Sequence, residues 1–314
     1  MMVHIPVIDF RGYDPADSNA MAELADEVSN ALTTSGFMKI INLGITPSEI
    51  NRVFDCSRWF FSRTTADKMT SAYVSAEENF GFQGLGVEHL DPTQPADIKE
   101  TFTLRNLLHH DPGDARWPSA EFRDVVTDFY RACLEGAYRI QRVFAKALNV
   151  EQDFFVRYHN GENVSLRLLY YPSRGVESIE SGQLGAGAHT DYGLITLLFQ
   201  HGVSGLEVQD ADGNWHEVEP EGDAIVINTG DLMERWTNGR YRSTPHRVQP
   251  KIGDRERFSI AMFVDPDTDT PVRVLSSCLA DGESPRFPEV TAGEHIQQRI
   301  MASHAAKTAA TLTS

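Results

Sequence analysis

His189-Thr190-Asp191-Tyr192-Gly193-Leu194 is the stretch from which the rest of the chain can be read. On a strand, side chains repeat with period two. His189 and Asp191 are therefore expected on one side, imidazole beside carboxylate, with Thr190 on the other. A second histidine, His246, follows 55 residues after Asp191, within Ser243-Thr244-Pro245-His246-Arg247-Val248. That interval is long enough for several strands to bring the chain back. Two histidines and one carboxylate, with the opposite positions open, are the ligand set suited to non-haem Fe(II) that activates oxygen. A lone His-x-Asp arises often by chance, and a lone histidine is more often packed or on the surface than a ligand. The weight lies on the combination.

Eleven residues after His246 comes Arg257-Phe258-Ser259, where Arg257 and Ser259 again share a strand face. Arginine presents a planar fork of donors that matches a carboxylate bidentately, and a serine hydroxyl adds one more. An arginine turned inward needs an anion, because an unpaired buried charge is costly. The competing reading is a salt bridge to one of the protein's own acids. Phe263 lies at an even offset from Ser259 and is expected to line the same cavity.

Around these residues the chain reads as strands: Leu166 to Tyr171, Gly193 to Phe199, Gly205 to Gln209, Trp215 to Val218, Ala224 to Asn228, His246 to Gln249 and Arg257 to Val264. Asp212-Gly213, Glu221-Gly222 and Asn238-Gly239 supply turn chemistry between them. Many short strands with regular turns point to two facing sheets, a jelly-roll-like barrel. The first half differs. Ile5 to Phe10 and Phe37 to Ile41 read as strands. Met21, Leu24, Ala25, Val28 and Leu32 recur at helical spacing before Gly36. Thr46-Pro47-Ser48-Glu49 is a capping box with proline at the first helical position, opening a helix that buries Ile50, Val53, Phe54 and Phe60. Residues 64 to 115 are expected to be irregular with short strands. A long helix from Ser119 to Leu148 buries Phe122, Val125, Phe129, Cys133 and Ala137. Phe154 and Phe155 belong to a further short helix. A last helix runs from Ala292 to about His304, with a small polar tail from Ala305 to Ser314. The fold class is thus mainly β with flanking helices. Residues 1–160 are expected to form a mostly helical N-terminal region packed on the core. Residues 161–314 form the catalytic core with its C-terminal helix, and the two parts make one integrated fold.

With 314 residues the chain can bury a large core. Its formal net charge of −17 disfavours nucleic acid and anionic membranes as partners. Cys56, Cys133 and Cys278 form no CxxC pair, so a disulfide framework is not expected and a reducing compartment is. The sequence starts without a basic region and apolar run, and no apolar run approaches the ~20 residues of a membrane helix. Together these features give a cytoplasmic expectation. Oligomeric state is not legible.

His189-x-Asp191, His246 and Arg257-x-Ser259 resemble the core signature of the Fe(II)/2-oxoglutarate-dependent oxygenases, most of all the isopenicillin N synthase-like branch. Ile5 to Phe10, Gly187 to Gly193, Gly230-Asp231-Leu232, Arg235 to Gly239 and Arg242 to Val248 resemble further elements of that branch, in order. The resemblance implies a distorted double-stranded β-helix with Fe(II) on His189, Asp191 and His246. It implies that Arg257 and Ser259 hold the distal carboxylate of 2-oxoglutarate. Tyr171 matches the tyrosine of the branch's Asn-x-Tyr element and is implied to help hold the co-substrate, although Leu169 stands at the asparagine position. The implied reaction uses O2 and 2-oxoglutarate to hydroxylate or otherwise oxidise a small organic molecule, giving succinate and CO2. Two alternatives stay open: an oxidase of the same branch that does not use 2-oxoglutarate, and a non-catalytic ligand-binding relative. Phe80, Phe82 and Phe102 fall where this branch builds substrate contacts, and are named as candidates beside Phe263. Tyr192, next to Asp191, is expected to face away into the core. His201, His216 and the pair His109-His110 are expected at the surface.

Overall fold

The computed structural model describes residues 5–91 and 93–301. The expected tail from Ala305 and the end of the last helix lie outside these residues. In chain order the strands are β1 (Val7–Asp9), β2 (Phe37–Ile41), β3 (Gly81–Gln83), β4 (Glu100–Arg105), β5 (Val164–Tyr171), β6 (Ser173–Arg174), β7 (Ala186–His189) and β8 (Ile195–Gln200). They continue with β9 (Leu206–Gln209), β10 (Trp215–Glu217), β11 (Ile225–Thr229), β12 (His246–Val248), β13 (Lys251–Ile252), β14 (Arg257–Val264), β15 (Pro271–Val272) and β16 (Val290–Thr291). An eight-stranded sheet has the order β1-β2-β11-β8-β14-β5-β4-β3, and a four-stranded sheet the order β10-β9-β12-β7. The large sheet draws four of its strands from before residue 160, so the N-terminal region is woven into the sheet as well as packed on it.

The helices are α1 (Ser18–Thr34), α2 (Pro47–Phe61), α3 (Thr65–Met69), α4 (Ala120–Ala147) and α5 (Asp231–Trp236). The Thr46 box forms as the sequence dictates: the Thr46 side chain accepts from Glu49 N, and Glu49 reaches back to Thr46 N. Gly36 follows α1 with φ +73°, and a Cβ there would meet Arg242 O and Thr244 Oγ1, so the stop also serves close packing. Helix α4 packs against α1 and α2 and against the outer face of β8 and β14.

Period two then sorts the central strands of the large sheet. Ile40 of β2, Leu166 and Leu168 of β5, Leu197 and Phe199 of β8, Ile227 of β11 and Ile260 and Met262 of β14 enter the helix-facing core. The alternate residues turn to the other side. Leu169, Tyr171 and Ala261 meet Ala186 and Val248 of the small sheet in one cluster, and Phe37 and Val226 meet Leu206 and Val208 in another. The space between the sheets is where the site lies.

Three expectations need correction. Asn238-Gly239 is no hairpin turn: with φ of +55° and +84°, both follow the short helix α5, which sequence pattern does not reveal. Phe154 and Phe155 precede, rather than form, the one-turn 3-10 helix Val156–Tyr158. Strand β8 begins at Ile195, so Gly193 and Leu194 belong to the turn before it.

Candidate active site

Strand β12 pairs antiparallel with β7, and in that register His246 stands opposite His189. Asp191 lies two residues past the end of β7, so the period-two argument does not apply to it. The turn leading into β8 delivers it instead. The Nε2 atoms of His189 and His246 lie 3.8 and 3.7 Å from Asp191 Oδ1, and the ligand atoms of the three residues fall within 4.8 Å of one another.

Each of these atoms is aimed by a neighbour. His189 Nδ1 lies 2.8 Å from Gly187 O and His246 Nδ1 3.1 Å from Thr244 O. A carbonyl only accepts, so each ring carries its proton on Nδ1 and offers the Nε2 lone pair to the shared point. Asp191 Oδ2 accepts from Thr196 Oγ1 at 2.5 Å and Asn228 Nδ2 at 2.7 Å, leaving Oδ1 for the same point. Burial and the nearby His246 push the His189 imidazole down to about 3, so it stays neutral. Burial raises the Asp191 carboxyl, but the two imidazoles, Thr196 and Asn228 outweigh it and keep the carboxylate ionised. Two imidazoles and one carboxylate, with lone pairs converging, suit a divalent cation of the non-haem iron type.

Arg257 and Ser259 project from β14 into the same cavity and are both fully buried. Arg257 Nη1 donates to Ser259 Oγ at 3.1 Å and Nη2 to Gln200 Oε1 at 3.0 Å. The guanidinium carbon sits 4.8 Å from the centre of the Tyr171 ring. Its Nε has no hydrogen-bond partner, and among the described residues no carboxylate pairs with it. The internal salt bridge that competed with the anion-site reading is therefore not formed. A buried guanidinium with only neutral partners fits a carboxylate ligand.

The cavity holds about 230 Å³. Leu169, Ala261 and Phe263 form its floor, and Leu90, Lys99, Arg167, Tyr192, Asp265 and Ile296 lie around it. Of the substrate candidates only Phe263 faces it. Phe102 pairs with Leu168, and Phe82 with Phe102, so both lie on the helix-facing side, and Phe80 packs against Phe102. Phe80, Phe82 and Phe102 are core residues, one register step from the cavity face, which on β4 belongs to Thr101 and Thr103 opposite Leu169 and Arg167. Tyr192 is the opposite case: it lines the cavity, with the Arg299 guanidinium 5.0 Å from its ring. His110 is not simply at the surface, since it stacks on Phe80 at 4.1 Å.

Sequence reading missed Thr196, Asn228 and Gln200, the groups that hold Asp191 and Arg257. Thr196 and Gln200 could have been found by carrying period two along β8. Asn228 is signalled only as a lone amide among Ile225, Val226 and Ile227. Arg167 lies at even offsets from Leu169 and Tyr171, and Asp265 from Ser259 and Phe263, so the same rule reaches them, whereas Lys99 carries no local motif.

The chain resembles known proteins over nearly its whole length. Residues 153–266 match the 2OG-Fe(II) oxygenase superfamily, and residues 5–121 match the non-haem dioxygenase in morphine synthesis N-terminal family. A 2-oxoglutarate-Fe(II) type oxidoreductase of Emericella nidulans, hxnY, is 34% identical, covering 93% of this chain and 88% of that protein. A full-length Neurospora crassa protein, crystallised in complex with alpha-KG, superposes with a TM-score of 0.85 at 29% identity, covering 95% of this chain and 96% of that one. JOX2 in complex with 2OG, Fe and JA superposes with a TM-score of 0.79 at 30% identity, covering 95% and 84%.

Proposed function

Because the chain belongs to the 2-oxoglutarate–Fe(II) oxygenase superfamily, we propose that His189, Asp191 and His246 hold its iron and that Arg257 and Ser259 hold the distal carboxylate of its 2-oxoglutarate. The enzyme uses O2 and 2-oxoglutarate to oxidise a small organic molecule. Iron with bound 2-oxoglutarate supplies the oxidising power, through loss of CO2 and formation of succinate.

This chain's residues supply the geometry. Gly187 and Thr244 fix the imidazole tautomers, while Thr196 and Asn228 hold one carboxylate oxygen so that the other faces the cation. Gln200 and Tyr171 hold the Arg257 fork at the far end of the floor. Leu169, opposite Ser259, makes the intervening wall apolar and keeps water from the reacting centre. The observation that carries the co-substrate assignment is the fully buried Arg257 without an acid.

Small-molecule substrates are supported by the solved relatives: the full-length Neurospora crassa protein has also been crystallised with thymine and with 5-formyluracil. The net charge of −17 supports a substrate other than nucleic acid. No helix of the described residues is long and apolar enough to cross a membrane. Cys56, Cys133 and Cys278 are free thiols, which supports a reducing, cytoplasmic setting. The test is succinate formation by purified, iron-loaded protein with 2-oxoglutarate and O2 against a small-molecule library. Substrate turnover without succinate would overturn the co-substrate assignment.

A further inference from the structure

Arg167 lines the same cavity as Arg257, from the neighbouring strand, and the sites proposed for iron and 2-oxoglutarate leave it unused. Strands β5 and β14 run antiparallel, with Arg257 opposite Tyr171 and Ala261 opposite Arg167. Arg167 therefore stands four residues along the floor from the Arg257 clamp, about 13 Å at the rise of an antiparallel strand.

Its charge is cancelled from behind. Arg167 Nη2 donates to Glu88 Oε1. Lys99, also at the cavity wall, has its Nζ 3.1 Å from Glu88 Oε2 and 2.7 Å from Asp97 Oδ2. Asp97 Oδ1 accepts from Gly187 N at 2.9 Å, which ties the group to the strand that carries His189. Lys99 and Asp97 are each only 2% exposed. Burial raises the Glu88 carboxyl, but Arg167 and Lys99 overcome it and hold it at about 2, while Glu88 and Asp97 together raise the Lys99 ammonium against its own burial. Two cations and two carboxylates sum to zero.

Arg167 Nε is nevertheless buried without a hydrogen-bond partner. The guanidinium is thus left short of acceptors, and its place on the cavity lining puts it where a ligand oxygen can supply one. A carboxylate placed there would be a buried charge with no net charge opposing it, whereas a carbonyl oxygen satisfies the donor without that penalty.

We infer that Arg167, backed by Glu88 and Lys99, is the specificity-determining anchor for the substrate, and that it takes a neutral molecule presenting a carbonyl oxygen, such as an amide, in preference to a carboxylic acid. The inference rests on the assignment of Arg257 to 2-oxoglutarate, which leaves Arg167 for the substrate.

The test is anaerobic calorimetric titration of the Fe(II)- and 2-oxoglutarate-loaded protein with benzamide, 2-pyridone and benzoate. The wild type is expected to bind at least one amide about tenfold more tightly than benzoate, and Arg167→Met to lose at least about tenfold of that amide affinity. Glu88→Gln uncovers one positive charge and is expected to shift the preference about tenfold towards benzoate. The inference is overturned if neither amide binds wild type better than Arg167→Met. Should Arg167→Met fail to fold, Glu88→Gln decides alone, and an unchanged amide-to-acid ratio there overturns it. Titration with 2-oxoglutarate itself separates the two readings. If it does not bind wild type, the Arg257 assignment fails; if it binds and the amides do not discriminate, only the Arg167 anchor fails.

Discussion

His246 stands directly across the β7–β12 ladder from His189, with ring centroids 4.3 Å apart. Backbone pairing sets the spacing of the two imidazoles, so the site exists before any ion arrives. Replacing either ring by alanine should leave the sheet intact and remove one of three metal ligands. The loss of metal-derived stabilisation, worth several kcal/mol, should lower turnover at least about 10³-fold. Metal analysis of the purified variants and a thermal melt check both halves. Near-wild-type turnover in His189→Ala or His246→Ala would sink the assignment.

Arg257 carries a desolvation cost that the protein alone does not offset, since its partners Ser259, Gln200 and Tyr171 are neutral. Arg257→Met should therefore leave the ligand-free protein as stable as wild type or more so, because a buried charge gives way to an apolar chain of similar length. The same change removes a charge-assisted bidentate contact, so the KM for 2-oxoglutarate should rise about 100-fold or more, from ~3 kcal/mol of lost binding. Melting curves with and without 2-oxoglutarate give the signature: the ligand raises the Tm of wild type and not of the variant.

Much of this site was legible because the residues that carry it repeat with the pleat. Arg257, Ser259 and Phe263 share a face by sequence spacing alone, and the structure keeps them there. The capping box at Thr46 and the apolar stripe of α4 are equally local. What stayed hidden depends on pairing between distant strands. Phe102 is turned to the core because it pairs with Leu168 rather than Leu169, a one-residue choice of register. Asp191 reaches its place through a turn, not a strand. Lys99, Arg167, Glu88 and Asp97 gather from three segments, and no local pattern announces that meeting.

Asp191 depends on its two donors. With Asn228→Ala, one hydrogen bond to Oδ2 is lost and the carboxylate gains freedom to rotate away from the shared point. The carboxyl loses a group that lowers its pKa, so it binds protons more readily and cation less. Iron affinity should fall about 10- to 100-fold, the usual effect of removing a residue that orients a ligand. Thr196→Val should act in the same direction. Iron titration of the apoprotein at about pH 7 and about pH 5.5 checks it, and the deficit of each variant should widen at the lower pH.

Asp265 faces the cavity, accepts from Leu194 N at 3.0 Å, and forms no direct ion pair among the described residues, Arg105 acting on it only from a distance. Burial pushes its carboxyl up to about 7, from an ordinary value of 3.8. Between these values the folded metal-free protein keeps a proton that the unfolded chain has released. The contribution of Asp265 to stability should thus be complete below about pH 4, fall as pH rises towards about 7, and level off above it. Asn at this position can still accept from Leu194 N and carries no charge. Asp265→Asn should be neutral at about pH 4 and stabilising above about pH 7, by up to about 4 kcal/mol at roughly 1.36 kcal/mol per pH unit. Denaturant titrations of metal-free wild type and variant at about pH 4.5, 6 and 8 measure the difference. Equal gaps at all three values would show that Asp265 keeps its charge throughout, held by a partner the packing around Gly193 does not supply.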